Sequence, residues 1–321
     1  MTKAATSPSA KPAAKSNAGS PSRVRPWLRL VRLPALFTAP ADVLAGFSIV
    51  HSDWTPWQPL AALVGSGVCL YAGGMVLNDW FDRTRDAAER SDRPIPAGEI
   101  NPKHAAMLGF GLLIAGVALG FLGGALAGNA LRSGLVASAV ALFVLLYDGP
   151  LKRTLLACPT MGACRATNLI LGASALPFLD HSGVWTVALA MGCYVGGVTL
   201  YARSEATTSD KHLLTAGFVA VNLGFATLAY AFFTQDWVQT DALLPVGALA
   251  AIAFSVDQRL AAGLRNPAPN VVGPAVGIAI LSIITLDAFV VMAATQSAAL
   301  TLATAALLAP AALLKRVASI T

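Results

Sequence analysis

Charged residues are scarce: they make up 12% of the 321-residue chain, about half the share of an ordinary soluble domain. Hydrophobic residues account for 56%, which leaves too little polar surface to cover a soluble core and excludes a soluble globular enzyme. Cysteine is equally sparse. Cys69, Cys158, Cys164 and Cys193 form no C-x-x-C pair, and the four histidines complete no zinc spacing. The cysteines therefore read as buried apolar filler. No acidic residue precedes Asp42, whereas Lys3, Lys11, Lys15, Arg23, Arg25, Arg29 and Arg32 do. The opening stretch is rich in Ala, Ser, Pro, Lys and Gly and lacks the apolar core of a signal peptide, so residues 1–22 are expected to be a disordered tail ahead of one membrane domain over 23–321. No basic face is interleaved with aromatics as a strand-binding groove requires, so no nucleic-acid partner is expected.

What the chain has instead is apolar length. Its mean hydropathy is +0.66. Ten apolar segments can be placed, at 33–50, 59–78, 104–127, 131–147, 160–179, 184–202, 213–233, 241–260, 271–294 and 297–314; each approaches the roughly 20 residues that cross a bilayer as a helix. The fold class expected is an all-α, polytopic transmembrane bundle of nine to ten spans. Basic residues mark alternate connections: Arg83, Arg85, Arg90, Arg93 and Lys103, then Lys152 and Arg153, then Arg203 and Lys211, then Arg259 and Arg265, with Lys315 and Arg316 at the end. By the positive-inside rule these connections and the amino terminus are cytoplasmic. Ten crossings satisfy every charge; nine would place Lys315 and Arg316 outside. Gly116, Gly120, Gly124 and Gly128 line one helix face, which suits close packing inside the bundle better than a dimer face.

The chemistry concentrates at the end of the second segment, in Asn78-Asp79-Trp80-Phe81-Asp82-Arg83-Thr84-Arg85-Asp86. On a helix Asn78, Asp82 and Asp86 share a face at i, i+4 and i+8, with Asp79 a short rotation away. Two readings are open: a solvated helix end whose acids and arginines pair, or a site where repelling carboxylates are reconciled by a cation. Mg²⁺ fits such a site through its preference for hard oxygen, water and substrate phosphate. Downstream, Arg90, Arg93 and the rigid Pro94-Ile95-Pro96 turn suit binding of anionic oxygen. Lys152 and Arg153 follow Tyr147 on the next loop, and Arg203, Glu205 and Asp210 form a thinner charged cluster on the third.

This combination resembles the UbiA superfamily of intramembrane prenyltransferases. Asn78, Asp79, Asp82 and Asp86 occupy every fixed position of the family's N-D-x-x-D-x-x-x-D pattern. Asp92-Arg93-Pro94-Ile95-Pro96-Ala97-Gly98 is similar to its continuation, and Tyr147 to Thr154 resembles its Tyr…Lys-Arg-x-Thr segment. The second Asp-rich motif departs from the family: only Glu205 and the more distant Asp210 follow Tyr201, and Val198 and Thr208 stand where typical members have carboxylates. Together with Met161 to Asn168 this resembles a divergent, EboC-like branch.

The resemblance implies Mg²⁺-dependent transfer of a prenyl group from a prenyl diphosphate to an aromatic or other lipid-soluble acceptor, through an allylic cation, in what would be a bacterial inner membrane. It implies metal ligation by Asn78, Asp79, Asp82 and Asp86, with Glu205 and Asp210 as second-site candidates. Arg93, Lys152 and Arg153 would assist the departing diphosphate, as would Arg203. Tyr147 and Tyr201, with Trp80 and Phe81, are the aromatics near the developing cation. Arg165 and Asn168, one turn apart, would orient the acceptor or the diphosphate, or bond across helices. Asp42 and Asp287 are costly at membrane depth and read as cavity or partner groups. A phosphoribosyl diphosphate donor on the same fold, or a non-catalytic lipid-binding or transport role, are the alternatives.

Overall fold

The computed structural model describes residues 25–203 and 209–319. The tail expected over 1–22, Glu205, and the side chains of Lys315 and Arg316 lie outside the described residues. Among the described residues all regular structure is helical. The chain enters through α1 (Arg25–Leu30), α2 (Leu33–Leu36) and α3 (Thr38–Val50). The break between the first two falls at Arg32, whose φ of 50° lies in the left-handed region. Pro34 follows within the first turn of α2, where its missing N–H is no loss but where it could not have continued α1.

Next comes α4 (Trp57–Glu89), 33 residues without interruption. At 1.5 Å per residue it is about 50 Å long, well beyond a hydrocarbon core of about 30 Å. One end must stand clear of the bilayer interior, and the Asn78–Asp86 acids mark which end that is. α5 (Pro102–Leu126) opens on an Asn101 cap bonded to the Lys103 amide at 2.9 Å. α6 (Ala130–Leu146) runs into a π-helical turn, Tyr147–Leu151, that contains Pro150. A proline there removes a ladder hydrogen bond and opens the helix into the wider turn.

α7 (Ala157–Ala173) stops earlier than the apolar run 160–179 suggests. Ser174 turns its hydroxyl back onto the Leu171 carbonyl at 2.6 Å, and Pro177 follows. α8 (Ser182–Tyr201), α9 (Lys211–Thr234), α10 (Leu243–Arg265) and α11 (Pro269–Thr295) complete the main bundle. Eight helical segments among the described residues are long and apolar enough to span a membrane. The seventeen-residue α7 lies among α3, α6 and α8. The tenth expected segment, 297–314, is two pieces rather than one helix: α12 (Ala298–Ala305) and α13 (Leu308–Ser319), the latter packed against α2.

α4 with α5 and α8 with α9 form matching antiparallel pairs, with the polar connections at the same end. Gly116 and Gly120 on α5 face Leu70 of α4 and Ala137 of α6, so the glycine stripe serves packing within the bundle. Closest of all is the approach of α3 to α7. A Cβ at Gly46 or Gly172 would run into the main chain of the opposing helix. This crossing brings Asp42 of α3 against Arg165 and Asn168 of α7.

Candidate active site

The end of α4 carries its acids in a neutralised lattice. Nη1 of Arg93 donates to Asp79 and to Asp86, each at 2.9 Å. Arg32 donates to the same Asp79 oxygen at 3.2 Å, and Lys152 to Asp82 at 2.5 Å. Asp79 and Asp86 are buried, and Arg93 is held in place by the Pro94-Ile95 turn, whose Ile95 packs with Ile100, Ala105, Val76 and Leu30. Buried carboxylates persist only when paired in this way. Asn78, the remaining member of the motif, donates instead to Asp148 in the π-helical turn at 2.8 Å.

Below this lattice lies a cavity of about 500 Å³. Arg32, Arg85, Lys152 and Arg203 stand on its charged side, and Met75, Val140, Val144, Val195, Ile280 and Ile283 line its walls. Tyr71 and Tyr147 present rings to it, and Arg165 and Asn168 lie on its inner surface. The space is amphipathic along its length: cations at one end, apolar wall beyond.

Several of the expected site residues come together here: Lys152, Tyr147, Arg165, Asn168 and Arg203 line the cavity, Asp79 and Asp82 are tied to its lining through Arg32 and Lys152, and Arg93 links Asp86 to Asp79. Others do not. Tyr201 is wholly buried in the main core and donates its hydroxyl to the Leu260 carbonyl at 2.6 Å, so it holds α8 to α10 and offers no ring to the cavity. Arg153 is exposed, and among the described residues its carbonyl accepts from Arg203. Asp210 caps α9 by accepting from the His212 amide at 2.7 Å. Trp80 packs edge-on against Phe81 and Phe110 and under the Arg83 guanidinium.

The structure also adds residues. Arg32 stands in the sequence as the last cation of a basic arm. Asp148 is an acid at the end of an apolar run beside Tyr147, which is a legible signal for a buried functional carboxylate. Tyr71 lies inside the second apolar segment, with nothing local to mark it.

Among the described residues no three carboxylates, histidines or cysteines converge on one point. Asp79 and Asp86, however, are close enough to share one guanidinium nitrogen. The donor set, hard oxygens needing positive charge, fits Mg²⁺, which takes one or two carboxylates and completes its shell with water and phosphate.

Fold and site together define a polytopic helical membrane protein whose charged end closes over an apolar cavity. Residues 41–202, half of the chain, match the UbiA prenyltransferase family, and the chain belongs to that family. Protoheme IX farnesyltransferase of Cereibacter sphaeroides is 33% identical over 169 residues, covering 51% of this chain and 46% of that protein. Digeranylgeranylglyceryl phosphate synthase of Methanopyrus kandleri is 36% identical over 96 residues, 30% of this chain and 35% of that one. The chain thus spans about half or less of the length of these curated relatives. A UbiA homolog from Archaeoglobus fulgidus bound to DMAPP and Mg²⁺ shares the fold, with a TM-score of 0.59 at 15% identity over 87% of this chain and 98% of that one.

Proposed function

We propose that the chain is an Mg²⁺-dependent intramembrane prenyltransferase, moving a prenyl group from a prenyl diphosphate to a lipid-soluble acceptor. The observation that carries this reading is the placement of the Asp79–Arg93–Asp86 and Asp82–Lys152 pairs at the charged side of an apolar cavity. A donor with a polyanionic head and a hydrocarbon tail matches that polarity. A phosphoribosyl donor would leave the apolar wall of Met75, Val144, Ile280 and Ile283 without a hydrocarbon to cover it.

Asp79, Asp82 and Asp86, with Asn78, would hold the metal; Glu205 and Asp210 are candidates for a second ion. When bound, Mg²⁺ would neutralise the leaving diphosphate. Arg32, Arg93, Lys152 and Arg203 supply further donors to its oxygens, with Arg153 nearby. The C1–O bond breaks with its electron pair on the diphosphate. The acceptor's electron pair then closes the new bond to C1, and the acceptor gives up a proton. Tyr147 and Tyr71 face the cavity and can stabilise the cationic carbon through their π faces, while the apolar wall keeps water from it. The alternation of basic connections supports an amino terminus and a charged end on the cytoplasmic side.

The test is thermal stabilisation of the detergent-purified chain by geranyl and longer prenyl diphosphates, with and without Mg²⁺. Stabilisation that requires Mg²⁺ and disappears in Asp82→Ala is expected. No response to any chain length would move the assignment to a non-catalytic role.

A further inference from the structure

The π-helical turn grips the acid-rich end of α4 at two successive rungs. Asp148 Oδ1 accepts from Asn78 Nδ2 at 2.8 Å, and Lys152 Nζ donates to Asp82 at 2.5 Å. Both pairs are 70 positions apart, so a step of four residues along the turn matches a step of four along the helix. Asn78 and Asp82 lie one helical turn apart, about 6 Å at helical rise, and each is met by its own residue. The Lys152 rung supplies positive charge. The Asp148 rung does not, because a carboxyl group opposite a neutral amide adds no cation to the lattice.

An asparagine side chain has two unlike ends, a carbonyl oxygen that can ligate a metal and an NH₂ that offers only protons. Asn78 is 8% exposed and Asp148 4%, so their bond forms away from bulk water. The nitrogen of Asn78 is committed to Asp148. Its Oδ1 accepts no hydrogen bond among the described residues and, unlike the sealed Oδ1 of Asn168, is open to solvent. Turning the amide over would press that oxygen against Asp148 and swing the NH₂ outward. Against an ionised Asp148 the reversed amide would set an acceptor against an acceptor.

We propose that Asp148 is a positioning residue for the metal site: it holds Asn78 by the nitrogen, so that the amide oxygen is the end left for Mg²⁺. The inference rests on the prenyltransferase reading, which gives Asn78 its place among the ligands. In metal sites the group behind a ligand fixes the ligand's orientation, and losing it costs about ten- to a hundredfold in metal affinity. Asp148 suits that role by position, since it bonds Asn78 and stands outside the cavity lining. A tie that only fastened the π-helical turn to α4 would leave the metal affinity of the folded protein untouched.

The experiment measures the Mg²⁺ concentration that half-saturates binding of the slow-reacting geranyl thiolodiphosphate to the full chain in detergent, counted per folded molecule. Asp148→Leu should raise that concentration by about tenfold or more. Asn78→Leu should raise it as well. Asn78→Leu with Asp148→Leu should match Asn78→Leu alone to within about twofold, the scatter of additive effects, because Asp148 then has no amide left to orient. Asp148→Asn keeps the side-chain volume and can bond the amide by either end, so it should shift the midpoint in the same direction, and it replaces Asp148→Leu, singly and over Asn78→Leu, if the leucine variant does not fold. An unshifted midpoint in the Asp148 variant that folds, or a double variant weaker than Asn78→Leu by more than that margin, would overturn the positioning role. Either result beside Mg²⁺-dependent binding in the unaltered chain refutes the positioning alone, whereas absence of such binding in the unaltered chain removes the prenyltransferase reading and the positioning with it.

Discussion

A single nitrogen of Arg93 bridges Asp79 and Asp86, seven residues apart on α4, at 2.9 Å to each. The arginine reaches back from the turn after the helix to do so, and its fixed positive charge stands between two buried acids of the Asn78–Asp86 motif. If these acids hold Mg²⁺ as proposed, the ion and the guanidinium would supply positive charge to the same two carboxylates.

That relationship makes Arg93→Ala informative. Breaking a fully buried pair costs roughly 3–5 kcal/mol; here Arg93 is one-fifth exposed and Asp79 keeps Arg32, so a loss of about 2 kcal/mol is expected. Thermal unfolding in detergent measures it. Added Mg²⁺ should restore more stability to Arg93→Ala than it adds to the unaltered chain, and chelation should reverse the gain. Identical Mg²⁺ responses would separate the arginine from the metal site.

Asn78 and Asp148 form the tie between α4 and the π-helical turn. Asn78→Leu leaves a buried carboxyl without its partner and should cost about 1–3 kcal/mol. Combining it with Asp148→Leu should recover much of that loss, since neither polar group then remains. A double-mutant cycle reads the coupling; strict additivity would show that the two side chains act separately.

Tyr201 and Tyr147 should part company on substitution. Tyr201→Phe removes the bond to Leu260 and should lower stability by about 1 kcal/mol, with turnover per folded molecule unchanged. Tyr147→Phe keeps a π face at the cavity and should retain most activity, whereas Tyr147→Ala should not. Activity loss in Tyr201→Phe beyond the unfolded fraction would return Tyr201 to the site.

Much of the architecture was legible in the residues, because spanning a bilayer demands apolar length and that demand is written locally. The segments 104–127, 213–233 and 271–294 match α5, α9 and α11 within a few residues. Boundaries slipped where side chains intervened: Ser174 and Pro177 end α7 early, and Pro150 widens the end of α6. The acid motif was equally plain, since i, i+4 spacing on a helix is a property of consecutive sequence.

The partners of those acids were less plain. Arg93 lies close enough to Asp86 to be named from the motif, but Arg32 meets Asp79 across 47 positions and Lys152 meets Asp82 across 70. Arg165 reaches Asp42 across 123, at a helix crossing that exists because Gly46 and Gly172 let two backbones touch. Sequence by itself determined that this is a helical membrane protein with a carboxylate-rich end, because hydropathy and helical periodicity act within a segment. Only the tertiary structure decided which cations neutralise that end, that Tyr201 is core and Tyr71 cavity, and that Asn78 gives its nitrogen to Asp148. Those outcomes depend on how ten apolar segments pack around one another, and apolar segments alike in composition do not announce their neighbours.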